Sequence, residues 1–92
     1  MLIRNINVLG IELEQWINRS CMADICVNDE QKWATLYNIE SVEQGKGHAR
    51  NLLIQAKKHF EKIGYDFGGT IALNDRMRNL YKSLGIKEYT EG

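Results

Sequence analysis

The chain has 92 residues, 43% hydrophobic and 26% charged, with twelve Lys/Arg against twelve Asp/Glu and no proline. That length supports one small core, the composition excludes collagenous and low-complexity chains, and a net charge of zero lacks the basic excess of a duplex nucleic-acid binder. No stretch approaches a membrane span, and the opening "MLIRNINVLGIELE" lacks the charged leader and apolar run of a signal peptide, so a cytoplasmic protein with no nucleic-acid or membrane partner is expected.

Residues 1–43 read as a strand meander. "LIRNINVL" alternates in part, with Ile3, Ile6 and Val8 apolar, and Gly10 marks a turn into "IELEQWI". The 11–20 segment also fits a helical stripe through Leu13, Trp16 and Ile17, but a strand is the preferred reading. "CMADICV" and "WATLYNI" flank the polar cluster "NDEQK", whose Asn28 and Asp29 are turn formers, so a hairpin is expected there.

From residue 44 onward the period changes. Ala49, Leu52, Leu53, Ala56, Phe60 and Ile63 share one face of a helix. Gly64 follows where helices commonly end in a left-handed residue. "YDFGGTIAL" reads as a strand ending in Thr70–Leu73 after a break at Gly68 and Gly69. Asn74 or Asp75 can cap a second helix with a stripe at Met77, Leu80, Tyr81 and Leu84, which Gly85 stops. "IKEY" is a last short strand. One domain over residues 1–92 is expected, a meander over 1–43 followed by an α-β-α-β half over 44–92. The fold class is α+β, or mixed α/β.

Charge is uneven along the chain. Residues 1–43 carry three basic and seven acidic side chains, net −4, and residues 44–92 carry nine and five, net +4. The second half suits an anion and the first a cationic group, although scatter in a short chain reads equally well. Cys21 and Cys26 stand in no ligand spacing with His48 or His59, so both read as reduced packing residues and no metal site is expected.

Two glycines in "QGKGHA", Gly45 and Gly47, stand just before the first helix. A helix N-terminus presents unpaired N–H groups and the positive end of the dipole, and a phosphate seats there when no Cβ intervenes. The P-loop pattern needs four residues between its first Gly and Gly-Lys, then Ser or Thr, and it fails because His48 follows Gly47. The dinucleotide fingerprint fails, because Arg50 stands where its third glycine belongs. The pattern Gln/Arg-x-x-Gly-x-Gly/Ala fits through Gln44, Gly47 and Ala49.

That pattern resembles the coenzyme-A pyrophosphate loop of the GNAT superfamily of acetyl-CoA-dependent N-acetyltransferases. A second stretch, "NDRMRNLYKSLGI", resembles that family's Asn-x-Arg-Ala-x-x-Leu-Tyr-x-x-x-Gly-Phe signature through Asn74, Arg76, Leu80, Tyr81 and Gly85, with Met77 and Ile86 as apolar replacements. The resemblance covers roughly residues 33–89. It implies that the strand ending near Ile39 and the strand near Thr70–Leu73 splay into a wedge for acetyl-CoA. The backbone of Tyr37, Asn38 and Ile39 would hold the pantetheine arm. The N–H groups of Gln44, Gly45, Lys46, Gly47, His48 and Ala49 would hold the pyrophosphate. Arg50, Lys46 or Lys57 would reach the adenosine phosphates, although Lys57 and Lys58 also read as a solvated helix face. Asn74 would orient the thioester or cap its helix.

For the chemistry, the resemblance implies that Tyr81 protonates the departing CoA thiolate, while its stripe position also reads as packing. A general base is not evident, because "WATLYNI" carries no acid. Glu40 ranks first, with Glu43 and Asp24 as alternatives, and each also reads as an ordinary exposed acid. His48 stands where the family is usually apolar, which suits packing or cofactor contact. Family members carry two helices after the first strand that wall the acceptor pocket, and no counterpart is read here. The acceptor amine would then be bulky, such as a protein lysine or N-terminus, or a second copy in a homodimer would complete the pocket. The competing readings are a non-catalytic CoA-binding regulatory module and a small interaction domain that has lost CoA.

Overall fold

Leu9 and Gly10 both adopt positive φ, 53° and 86°, as a type I′ hairpin turn requires, and the twist of such a turn matches the flanking strands. The Gly10 N–H donates to Asn7 Oδ1 at 3.0 Å and closes the turn. It joins β1 (Leu2–Val8) to β2 (Ile11–Asn18) in the computed structural model, which describes residues 2–18, 20–42, 47–70, 72 and 75–88. Next come β3 (Cys21–Asn28), β4 (Trp33–Ser41), α1 (His48–Lys62), β5 (Asp66–Gly69), α2 (Asp75–Leu84) and β6 (Lys87–Glu88). This is a mixed α+β architecture with the expected order, and Ile11–Asn18 of the 11–20 segment form a strand.

The six strands form one sheet in chain order. β1 to β4 are antiparallel neighbours, while β4–β5 and β5–β6 are parallel. The β3–β4 turn is fixed by Asn28 Oδ1, which accepts from the Gln31 N–H at 3.0 Å. Tyr65 ties that turn to the end of α1 by donating to Asp29 Oδ1 at 2.6 Å, with Lys32 Nζ 5.3 Å from its ring centre.

Cross-strand register decides which residues share a face. Trp16 faces Ala23, Ala23 faces Ile39, and Leu36 faces both Ile25 and Gly69, so these residues lie on one side of the sheet. Both helices cover that side. Leu52, Leu53, Ala56 and Phe60 of α1 are buried against it, and Phe60 stacks on Phe67 with ring centres 5.9 Å apart and planes 6° apart. Burial of Leu52, Leu53 and Phe60 is worth about 1.5–3 kcal/mol each, so this cluster is the main stabilising element. Tyr81 of α2 joins the same cluster. Ile63, expected on the stripe, is 51% exposed because α1 has already ended at Lys62.

The strand expected at Thr70–Leu73 lies earlier in the chain. β5 is Asp66–Gly69, so Gly68 and Gly69 are paired strand residues rather than a break. Ile71 and Leu73 lie outside the described residues. Alternation in β1 also misleads about burial: Leu2, Ile3 and Val8 are exposed because β1 lies at the end of the sheet, away from the helices. Cys21 is buried and Cys26 half-buried, and both are free thiols. Burial pushes the Cys21 thiol up, against a smaller lowering by a backbone hydrogen bond at Met22. No helix among the described residues is long and apolar enough to cross a membrane.

Candidate functional site

β4 and β5 pair over only four residues, from Trp33 opposite Asp66 to Leu36 opposite Gly69. The Thr70 N–H adds one more bond, to the Leu36 carbonyl at 3.0 Å. Among the described residues the pairing stops there, although β4 continues to Ser41. The Ala72 N–H turns instead to Glu88 Oε1, at 2.5 Å. Beside the point of divergence β4 carries a bulge. Asp24 faces Asn38 and Ile25 faces Leu36, so Tyr37 is the extra residue. Bulges bend a strand and re-aim its neighbours. The expected backbone-binding stretch therefore begins on the bulge, with Tyr37 and Asn38 exposed and Ile39 half-buried.

Tyr81 closes this region from the helix side. It is 4% exposed, and a Cβ built on Gly69 would lie 2.5 Å from both its Cζ and its hydroxyl oxygen. Burial raises the phenol above its ordinary value, the Glu88 charge adds to that, and a hydrogen bond with the Thr70 side chain opposes both. The hydroxyl thus keeps its proton through neutral pH, at the edge where β4 and β5 part.

α1 opens at Gly47, which takes the N-cap with φ 76° and ψ 9° and offers no side-chain cap. A Cβ there would meet nothing within 4 Å. The first turn carries no acid to offset the dipole. His48 and Ala49 are half-buried, and Ala49 packs on the core. Arg50 is exposed, and its Nη1 donates to Ser83 Oγ of α2 at 2.7 Å, so it bridges the two helices. Lys57 is engaged by Glu61 at 2.5 Å, which fits the solvated-face reading better than a phosphate contact. The expected site residues Gln44, Gly45, Lys46 and Asn74, and the alternative base Glu43, lie outside the described residues.

Glu40 is exposed and faces Met22, and its Oε1 accepts from Asn38 Nδ2 at 3.4 Å. Register puts Glu40, Asn38 and Asp24 on the open side of the sheet, opposite the helices. Tyr81 and Glu40 are therefore not brought together. Asp24 is committed elsewhere, with Oδ1 accepting from Gln15 Nε2 at 3.0 Å.

Sequence reasoning missed Gly69, Thr70 and Glu88, which meet Tyr81 or the divergent segment. Glycine in a strand marks close approach of another group as well as a break, and a second residue of that kind, Gly69, was visible in "FGGT". Nothing in the sequence pointed to Glu88. No protein-family model, curated protein or solved structure matches the chain.

Proposed function

We propose that this chain is an acetyl-CoA-dependent N-acetyltransferase of the GNAT kind, acting on a primary amine such as a protein lysine or N-terminus. The observation that carries the reading is that parallel β4–β5 pairing ends, among the described residues, at Leu36 and Gly69, with a bulge at Tyr37 on β4 and buried Tyr81 against Gly69. Asn38 and Ile39 of β4 face no β5 residue among those described, and a strand edge of that kind can bond an amide-bearing arm. The Gly47-capped start of α1 lies on the connection between the two strands and suits an anionic phosphate, since no Cβ or acid obstructs it.

The chemistry is direct transfer. The amine lone pair attacks the thioester carbonyl carbon, a C–N bond forms, and the C–S bond breaks with its electron pair going to sulfur. Tyr81 gives its hydroxyl proton to that thiolate and is reprotonated from water. The amine proton is lost to Glu40, reached through the gap, or to solvent. A phenol held above its ordinary value arrives at this step protonated.

A second reading is favoured by one observation: Glu40 and Asp24 stand on the face away from Tyr81. The chain is then a non-catalytic CoA-binding regulatory module. Incubation with acetyl-CoA and a panel of amines, with detection of free thiol, separates the two. Amine-dependent thiol release is expected. A rise in melting temperature with CoA but no release would leave the module. No rise would remove CoA from the account and leave an interaction domain.

A further inference from the structure

β1 ends the sheet, and its outer edge pairs with no strand among the described residues. Native edges are usually blunted by proline, a bulge, charge or short length. β1 is seven residues long, holds no proline, and pairs with β2 without a bulge from Leu2–Ile17 to Val8–Ile11. Its single charge is drawn back over its own sheet: Arg4 Nε donates to Gln15 Oε1 at 2.7 Å, and Gln15, 6% exposed, donates onward to Asp24. Exposed apolar surface gathers on the same hairpin. Leu2, Ile3, Val8, Leu9 and Ile11 belong to it, whereas Tyr37, Val42 and Ile63 lie apart.

We propose that β1 is a homodimer edge, pairing antiparallel with β1 of a second copy about a two-fold axis at Asn5. A two-fold axis between antiparallel strands must pass beside a residue that faces itself, because directly opposed side chains share a face. Centring on Arg4 sets two guanidinium groups against each other and leaves Val8 over. Centring on Ile6 pairs only residues 4–8. Centring on Asn5 uses the whole strand: Leu2 meets Val8, Ile3 meets Asn7, and Arg4 meets Ile6, with no like charges opposed. Exposed Leu2 and Val8 of each copy then cover one another. β4 lies three strand spacings from this edge, about 14 Å, so each copy keeps its own β4–β5 gap, and dimerisation does not complete that site.

Sedimentation equilibrium tests the proposal. The expected mass is twice the 10.6 kDa of one chain. Ile6→Lys places a positive charge opposite Arg4 twice and should halve the mass. Ile6→Glu has the same polarity but places opposite charges there, and should remain dimeric. Circular dichroism checks that both variants are folded. Asn5→Cys, at an exposed position, should form an intermolecular disulfide through position 5 under mild oxidation, identified by peptide mass spectrometry. A monomeric wild type at ~100 µM, a concentration far above the Kd of a stable interface, would overturn the proposal. So would equal dissociation of the two folded Ile6 variants, or a dimer that lacks the position 5 crosslink.

Discussion

The ring of Tyr81 rests directly on the backbone of Gly69, so close that a methyl group added at Gly69 would overlap it at 2.5 Å. Gly69 is the last residue of β5 to pair with β4. One strand residue thus ends the parallel pairing and sets the height of the aromatic ring over the gap.

Gly69→Ala should therefore push the Tyr81 ring outward. Overpacking of this kind costs about 1–3 kcal/mol, which corresponds to a loss of about 4–8 °C in melting temperature per kcal/mol for a domain this size. Thermal unfolding by circular dichroism measures it. Thiol release should fall more than the stability loss accounts for at a temperature where the variant is fully folded.

Tyr81→Phe should lower turnover by about 10²-fold or more, as for loss of a positioned acid, with the melting shift caused by CoA retained. It also alters pH dependence. The folded-state pKa of Tyr81 lies above its unfolded value, chiefly through burial and secondarily through the Glu88 charge. The native state therefore holds the proton more tightly. That contribution is fully present below about pH 10, the unfolded value, and is lost as pH rises through the folded value. Urea unfolding should show wild-type stability falling above about pH 10 more steeply than that of Tyr81→Phe. Tyr65 also titrates high through its hydrogen bond to Asp29, but it is present in both proteins and drops out of the difference. Parallel curves would count against the buried environment of Tyr81.

Glu88→Ala removes the acceptor of the Ala72 N–H, whereas Glu88→Gln keeps an oxygen there. The alanine variant should lose about 1–3 kcal/mol, as for a polar group left without its partner, and the glutamine variant clearly less. Both remove the carboxylate charge, so the Tyr81 phenol should titrate lower in both. Ultraviolet tyrosinate titrations, with Tyr81→Phe as the blank, read that shift.

At Gly47 two effects separate. Its φ of 76° disfavours any side chain, while a Cβ would meet open space. Gly47→Ala should cost about 1–2 kcal/mol of backbone strain and create no clash. Gly47→Val should in addition abolish CoA binding, while Gly45→Ala should be milder. Calorimetric CoA titrations of the three variants decide this, and equal losses at both glycines would mean that the loop register is misassigned.

Much of the second half was legible because helix period is a local property. Leu52, Leu53, Ala56 and Phe60 stand on one stripe and all are buried, and Gly64 and Gly85 take positive φ after the two helices. Local pattern failed where a distant element decides. Ile3 and Val8 alternate like buried strand residues but lie beyond the helices. Gly68 and Gly69 look like a strand breaker, yet they are strand residues, one of them beneath a tyrosine from α2. Glu40 lies on β4, but register turns it to the side opposite Tyr81.

What the sequence determined by itself was the order of elements and the two short stretches that carry the CoA resemblance, because periodicity, turn residues and motif spacing are written along the chain. What only the tertiary structure decided was which residues meet. The bulge at Tyr37, the end of β4–β5 pairing at Leu36, the contact of Tyr81 with Gly69 and the reach of Glu88 to Ala72 all depend on strand register and helix docking. Those are set by how residues far apart in the chain fill one core, and no local pattern encodes that packing.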